Sequence, residues 1–116
     1  MATCTHMEKS PLRPSVLHIL LALSEHEFHG LGIADQVEEA SGGVIHLGPG
    51  TLYRSLDEMQ EAGLVERADP PSTDTDPRRK YYRITHRGRS ILRAEMERFQ
   101  ELVELARARS VLREGT

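Results

Sequence analysis

The chain has 116 residues, of which 15 are Lys or Arg and 18 are Asp or Glu, so its formal net charge is −3. This length suffices for one small domain with a real core but not for a two-domain enzyme. No apolar run reaches the roughly 18 residues of a membrane span, and no signal-peptide pattern opens the sequence. The single cysteine, Cys4, excludes an intrachain disulfide and fits a reducing compartment. We therefore expect a cytoplasmic protein that makes no membrane contact, and the net charge alone argues against nucleic acid as a partner.

The distribution of charge along the chain changes that expectation. Residues 78–93 contain seven basic residues and no acidic one, which leaves 8 basic against 18 acidic residues elsewhere. A basic segment on an otherwise acidic chain is the electrostatic pattern expected of a phosphate-binding surface. The alternative is a merely solvated charged face on a strand and a helix, which is the commoner case in proteins.

The first predicted element is a buried helix. Residues 1–10 and 113–116 lack apolar periodicity and are predicted to be tails. Pro14 stands where a helix can begin, and the run that follows, as far as Leu23, is apolar on almost every side. Residues 24–30 show no regular apolar pattern and are predicted to be a short connection.

Two more helices are predicted downstream. In residues 31–40, apolar side chains recur at i, i+3, i+4 and i+7, and glycines close the segment. Residues 44–47 are too few for a helix and are predicted to be extended. The third helix begins at Pro49, and Gly63 is predicted to end it, with Leu64 folding back onto the last turn. Its inward stripe consists of Leu52, Leu56 and Met59.

Residues 64–68 and 80–85 are predicted to be two short strands, because β-branched and aromatic residues are frequent in both. The sequence PPSTDTDPR between them contains prolines and short polar residues, which indicates a loop at the tip of a hairpin, here called the wing. Alternation along the second strand predicts that Tyr82 and Ile84 face inward while Tyr81 and Arg83 face outward.

The last predicted helix, residues 86–112, begins after the capping residue Thr85. Its apolar residues recur at spacings of four and three, namely Leu92, Met96, Phe99, Val103 and Ala106. Such a helix spans roughly 40 Å, whereas a compact domain of this size has a radius of gyration of only about 13 Å. The far end must overhang, and a second copy of the same helix is the simplest cover. We therefore predict a homodimer in which these five residues form the interface.

This order of elements predicts a winged helix-turn-helix fold, mainly α with a small β-hairpin. Residues 11–85 would form the DNA-binding domain and residues 86–112 the dimerisation helix. In such domains the third helix enters the major groove and the wing contacts the DNA backbone or minor groove.

Candidate DNA contacts lie on the third helix and in the wing. Free amides at the helix start, around Pro49, Gly50 and Thr51, can bind a phosphate. Hydroxyls of Thr51, Ser55 and Tyr53 suit phosphate oxygens, and Arg54 can pair with a guanine edge or a phosphate. Tyr53 has an alternative role as a half-buried core residue. The wing candidates are Arg78, Arg79, Lys80, Tyr81 and Arg83.

Four stretches of the chain resemble the PadR family of bacterial transcriptional regulators: LRPSVLHILLAL, HGLGIADQVEEASGG, LGPGTLYRSLDEMQEAGLVE and RRKYYRITHRGRSIL. Together they cover about residues 12–112, and the pairing of GTLY with a downstream basic KYYRIT motif is quite specific. The resemblance implies a dimeric repressor of a palindromic operator, of the subgroup with a short C-terminal helix. It carries DNA contact over to Thr51, Tyr53, Arg54, Arg78, Arg79, Lys80 and Tyr81.

Two departures from the family pattern stand out. Asp57 and Glu58 occupy recognition-helix positions that are often basic in the family, which leaves fewer contacts for that helix. The chain has no tryptophan, so the tryptophan-lined drug site of some relatives is not supported. The sequence does not locate a small-molecule effector site, and one between the last helices stays an open alternative.

Two alternatives also stay open. A winged-helix protein-interaction module would use the basic segment to dock an acidic partner, and the acidic recognition helix favours it. A metal-sensing repressor would use Cys4, His6, His26 and His29, although matching third and fourth ligands are absent. No nucleophile–base pair, glycine-rich phosphate loop or carboxylate constellation is present, so neither an enzyme nor a bound cofactor is predicted.

Overall fold

The computed structural model describes residues 11–112, so both predicted tails lie outside the described residues. Its elements in chain order are α1 (Pro14–Ala22), β1 (Phe28–His29), α2 (Gly30–Ala40), α3 (Pro49–Glu61), β2 (Val65–Ala68), β3 (Tyr81–Ile84) and α4 (His86–Ala108). The predicted winged-helix order is confirmed, with one additional strand. Residues 44–47, which we expected to be extended, belong to neither a helix nor a strand.

The core lies between α1, α2 and α3 and is made of aliphatic side chains. The most deeply buried are Val16, Ile19, Leu20, Ile33, Val37, Leu52, Leu56, Met59, Leu64 and Val65. Each helix contributes the face that its apolar spacing predicts, because only residues three or four apart share a helix face.

The turn after α3 joins the recognition helix to the wing. Gly63 adopts a left-handed φ of +79°, the Leu64 amide donates to the Met59 carbonyl at 2.8 Å, and the Gly63 amide donates to the Gln60 carbonyl at 3.1 Å. These two bonds are the Schellman arrangement, in which glycine carries no steric penalty. Leu64 and Met59 are both fully buried. The predicted helix end at Gly63 is therefore confirmed.

The sheet is antiparallel, in the order β1-β3-β2. Phe28 pairs with Tyr82, and Val65 pairs with Ile84. The prediction of a plain connection over residues 24–30 is wrong, because residues 28 and 29 form β1. A strand of two residues is too short to carry an alternating pattern, and it exists only because β3 offers it a free edge.

The start of α4 is attached to the wing through Thr85. The Thr85 hydroxyl accepts from the Gly88 amide at 3.0 Å and donates to the Gly63 carbonyl at 2.6 Å, which confirms the predicted cap. At its other end α4 stops at Ala108 rather than at residue 112 as predicted. Ser110 takes a φ of 63° and the Val111 amide turns back to the Ala106 carbonyl at 2.8 Å. The apolar pattern continues past this turn, which is why it overestimates the helix.

The apolar stripe of α4 divides into two parts. Leu92 is 7% exposed and belongs to the core of its own protomer, with Met96 and Phe99 packed against that core. The expectation that Leu92 forms the dimer seam is therefore wrong. Beyond Phe99 the helix leaves the core, and Val103 is 38% exposed. No helix within residues 11–112 is long and apolar enough to cross a membrane.

Candidate nucleic-acid interface

The start of α3 offers unpaired backbone donors at the surface. Its N-cap is Gly48, which supplies no side-chain cap, and Pro49 is the first helical residue. Pro49, Gly50 and Thr51 are all exposed. The first-turn amides of such a helix have no intrahelical acceptor and carry the positive end of the helix dipole. This end of α3 therefore has the donors that an anion requires, and contact of these residues with DNA stays a prediction.

The outer face of α3 is narrower than the sequence suggests. Arg54 is exposed, but Ser55 is only 5% exposed and cannot present its hydroxyl to a ligand. At about 100° per residue, Ser55 lies about 60° from Leu52 and about 40° from Met59. It therefore belongs to the inward stripe, and the expectation that it contacts DNA is corrected.

Tyr53 packs against the first residue of α2 while keeping part of its ring in solvent. It is 42% exposed, and a Cβ added at Gly30 would clash with the Tyr53 hydroxyl and ring carbons. The expected packing role of Tyr53 is thus met on one side of the ring, while its contact with DNA stays a prediction that the exposed side permits. A larger residue at position 30 would force the end of the Tyr53 side chain to shift.

The two acidic residues Asp57 and Glu58 of α3 differ in their contacts. The Glu58 carboxylate accepts from the Arg13 guanidinium at 2.6 Å, so part of its charge is compensated. Asp57 is exposed.

The wing tip is organised around Asp74, whose side chain is 8% exposed. Its carboxylate accepts from the Tyr81 hydroxyl at 2.5 Å, the Asp76 amide at 3.0 Å and the Arg79 guanidinium at 3.4 Å. These bonds hold the pKa of Asp74 below its usual 3.8, the Tyr81 hydroxyl being the largest cause and the Asp76 amide the next. The same bond raises the pKa of Tyr81 above 10.0.

Tyr81 is consequently buried, contrary to the expectation that it faces solvent. It is 8% exposed, and its ring lies 5.3 Å from that of His29. Alternation places it correctly on the face opposite Tyr82, but the wing loop and β1 cover that face. Arg83 on the same face is exposed as predicted and donates to Glu66 across the strands at 2.7 Å.

The basic segment is partly neutralised by acidic residues that precede it. Asp76 accepts from the Arg78 amide at 2.9 Å and from its Nε at 3.3 Å, and lies 3.9 Å from the Arg79 guanidinium. The Arg78 amide and guanidinium hold the pKa of Asp76 below 3.8. Within residues 11–112, Lys80 and Arg54 make no hydrogen bond or ion pair of this kind.

The recognition helix and the wing cations meet at one cleft of about 450 Å³. The side chains that line it are His29, Tyr53, Asp76, Arg78, Arg79 and Lys80, together with the first residues of α2. The structure therefore brings four of the predicted DNA contacts together. Sequence reasoning missed the place of His29 and of Asp76 here, because the first depends on the β1–β3 pairing and the second on the fold of the loop.

The described histidines do not form a metal site. Among residues 11–112, no three His, Cys, Asp or Glu side chains come together in a way that could hold a metal ion. The His26 ring meets the Phe28 ring edge-on at 6.1 Å, and His29 packs on Tyr81. Cys4 and His6 lie outside the described residues.

A three-helix core, a hairpin wing and a cation-lined cleft between the wing and the third helix define a winged-helix DNA-binding protein. The model of the transcriptional regulator PadR-like family matches residues 19–94. The chain belongs to this family, whose members are transcriptional regulators and not enzymes.

Solved structures agree with this assignment. A PadR family transcription regulator from hypervirulent Clostridium difficile R20291 is 25% identical, with a TM-score of 0.68 over 82% of this chain and 95% of that one. A PadR-like transcription factor from Bacteroides fragilis is 28% identical, with a TM-score of 0.63 over 81% and 86%. Bacillus subtilis PadR, in complex with operator DNA, is 22% identical, with a TM-score of 0.63 over 74% of this chain and 48% of that one, and shows the shared fold alone. No curated protein matches the chain significantly.

Proposed function

We propose that the protein is a homodimeric repressor that binds a palindromic operator. The observation that carries this proposal is the cleft in which Tyr53 of α3 faces the wing residues Arg78, Arg79 and Lys80. A surface of this kind can follow the sugar-phosphate backbone with the wing while α3 lies in the major groove.

The proposed roles differ between helix and wing. Thr51, with the open amides beside Pro49 and Gly50, binds a phosphate at the start of α3. Arg54 is exposed on the same helix and reads a base edge. In the wing, Arg78, Arg79 and Lys80 neutralise phosphates, while Arg83 and the buried Tyr81 support the hairpin. Ser55 has no place among these contacts.

DNA titration tests the proposal. We expect a fragment from upstream of the protein's own gene to bind far better than random DNA at moderate salt, with half-sites about 10 bp apart. Each phosphate contact contributes about 0.9 to the slope of log affinity against log salt. Replacing Arg78, Arg79 and Lys80 together by Ala should weaken binding to all sequences and lower that slope by about 2 to 3.

Arg93→Ala is the matched control, because Arg93 is exposed on α4 and does not line the cleft. It removes a positive charge of the same kind and should leave the slope nearly unchanged. Arg54→Ala should instead alter the preferred sequence. An upstream fragment that binds no better than random DNA would reject the repressor proposal.

The second copy is proposed to cover the end of α4. Leu102, Val103 and Leu105 are 47%, 38% and 45% exposed, on a helix that has already left its own core. Of the predicted interface residues, Val103 and Ala106 lie in this part, and Met96 and Phe99 lie at its border with the core. Apolar side chains in such a row are unfavourable in water and are stabilised by a partner surface.

Val103→Asp tests the dimer, because Val103 lies outside the core cluster and its replacement spares the protomer. We expect a monomer by sedimentation, with weaker operator binding. Gln100→Asp adds the same charge at an exposed polar position of α4 and should remain dimeric. A Val103→Asp protein that stays dimeric would remove the end of α4 as the interface.

Relief by a small-molecule effector is part of the proposal. A second groove of about 480 Å³ lies against the wing. Cationic and acidic side chains both line it, and the full set is Leu23, Ser24, Glu25, His26, Glu27, Pro71, Tyr81, Arg83, Ile84 and Arg89. Its size lies within the range of ligand sites, and a ligand there would contact both wing strand β3 and the start of α4. Thermal-shift screening of small organic molecules, with Arg89→Ala as the comparison, tests whether the groove binds a ligand.

A further inference from the structure

In the protein without DNA, Asp76 accepts from the Arg78 guanidinium and lies close to the Arg79 guanidinium. Its Oδ1 accepts from Arg78 Nε at 3.3 Å, its Oδ2 lies 3.5 Å from Arg78 Nη2 and 3.9 Å from Arg79 Nε. Asp76 also lines the cleft, beside Tyr53 and Lys80. A carboxylate and a phosphodiester are both anions that accept two hydrogen bonds from a guanidinium. The position that Asp76 fills is thus one that a phosphate oxygen would fill.

Asp74, two residues earlier, has a structural role in the wing loop. Its side chain is 8% exposed against 29% for Asp76, and it accepts from the Tyr81 hydroxyl, the Asp76 amide and, at 3.4 Å, the Arg79 guanidinium. Asp74 therefore fastens the loop to β3. The Asp76 side chain fixes only a local turn, through the Arg78 amide at 2.9 Å; its other contacts within residues 11–112 are with the Arg78 guanidinium and, at 3.9 Å, the Arg79 guanidinium.

We propose that the cleft binds backbone phosphate of DNA and that Asp76 is an internal competitor, which a phosphate displaces from Arg78 and from its position beside Arg79. The proposal rests on the proposed DNA-binding function and adds a residue that lowers affinity. Arg78 is 89% exposed, and ion pairs at such exposure are weak. The competition is therefore modest, and removing it should tighten binding about twofold to fivefold.

Asp76→Asn is the variant that isolates the competition. The Asn side-chain oxygen can still accept from the Arg78 amide, so the loop keeps its turn while the negative charge is lost. Asp69→Asn is the matched control, because Asp69 is an exposed residue just after β2 and has no hydrogen bond to Arg78 or Arg79. A general field effect predicts the same gain for both variants, whereas competition predicts a larger gain for Asp76→Asn.

The decisive measurement is a double-mutant comparison of operator affinity. In a background with Arg78 and Arg79 both replaced by Ala, the gain from Asp76→Asn should fall to that of Asp69→Asn. A gain that persists in this background, or one that never exceeds the control, overturns the competitor role. Wild-type protein that fails to bind any operator contradicts the proposed function instead.

A second measurement needs no DNA, so it tests the competitor role of Asp76 separately from the proposed DNA-binding function. Inorganic phosphate is titrated into isotope-labelled protein while the Nε–H resonances of Arg78 and Arg79 are followed by NMR. The Asp76→Asn protein should respond at lower phosphate concentration than either the wild type or Asp69→Asn. Equal responses in all three proteins would overturn the inference whatever the operator experiment shows.

Discussion

Gly88→Ala is expected to destabilise the protein, although alanine is normally the better helix residue. Gly88 is the third residue of α4 and is buried. A Cβ there would clash with the Leu64 carbonyl oxygen and lie 3.0 Å from Ile84 Cγ1. The carbonyl cannot move aside, because it accepts from the Thr85 amide at 3.0 Å. The helix must therefore shift away from the wing.

The magnitude follows from two opposing terms. Alanine in place of glycine stabilises a helix by about 0.5–1 kcal/mol, whereas overpacking a close contact costs about 1–3 kcal/mol. Since the contacted atom is backbone, we place the cost in the upper part of that range. The net loss is then about 1–2 kcal/mol, which lowers the melting temperature by about 5–10 °C in a domain of this size.

Gly50→Ala makes the same chemical change where there is space. Gly50 is the second residue of α3, and a Cβ added to it meets nothing within 4 Å. This variant should be stabilised by about 0.4–1 kcal/mol. Circular dichroism melts show whether alanine destabilises position 88 and stabilises position 50. Both variants are measured at one protein concentration, because the melting temperature of a dimer depends on concentration. A Gly88→Ala protein that melts at or above the wild-type temperature would refute the close-packing argument.

Three further predictions concern single side chains. Ser55→Ala should leave operator affinity unchanged because Ser55 is 5% exposed, whereas Thr51→Ala should weaken it about twofold to tenfold in the same titration. Glu95 is 3% exposed and accepts from the Leu12 amide at 2.8 Å. Glu95→Ala should therefore lower the free energy of unfolding, measured by urea titration, by about 1–3 kcal/mol, and a change below about 0.5 kcal/mol would contradict this. The pKa values of Asp74 and Asp76 lie below 3.8 in the folded protein. Their ionised carboxylates therefore stabilise the wing fully above pH 3.8, and this stabilisation is lost as the pH falls through the folded pKa values. Faster amide hydrogen exchange in the wing loop at low pH should show the loss.

Most helix ends were predictable because the responsible rules are local. Pro49 begins α3 since its missing amide is not needed at the first position. Gly63 ends it since a left-handed residue is required there, and Thr85 caps α4 through its own hydroxyl. Each of these signals involves atoms within about four residues, so the sequence contains them directly.

Of the three side-chain predictions that failed, those for Tyr81 and Leu92 failed because other elements of the fold cover these residues. Tyr81 was placed on the correct face of β3, but the loop residue Asp74 and the ring of His29 cover it. Leu92 was placed on the correct face of α4, but that turn of the helix rests on its own core. Periodicity predicts which side chains share a face and does not say what that face meets.

The charge pattern is likewise determined partly by the sequence and partly by the tertiary structure. The sequence by itself determined that the basic residues are concentrated between residues 78 and 93 and that the elements follow a winged-helix order, since composition and local backbone rules suffice for both. Only the tertiary structure decided which cations are available. Strand pairing brings Glu66 within 2.7 Å of Arg83, which lies 17 residues further along the chain, and leaves Lys80 without an ion pair among the described residues. Electrostatic energy depends on distance in space, and the sequence records only distance along the chain.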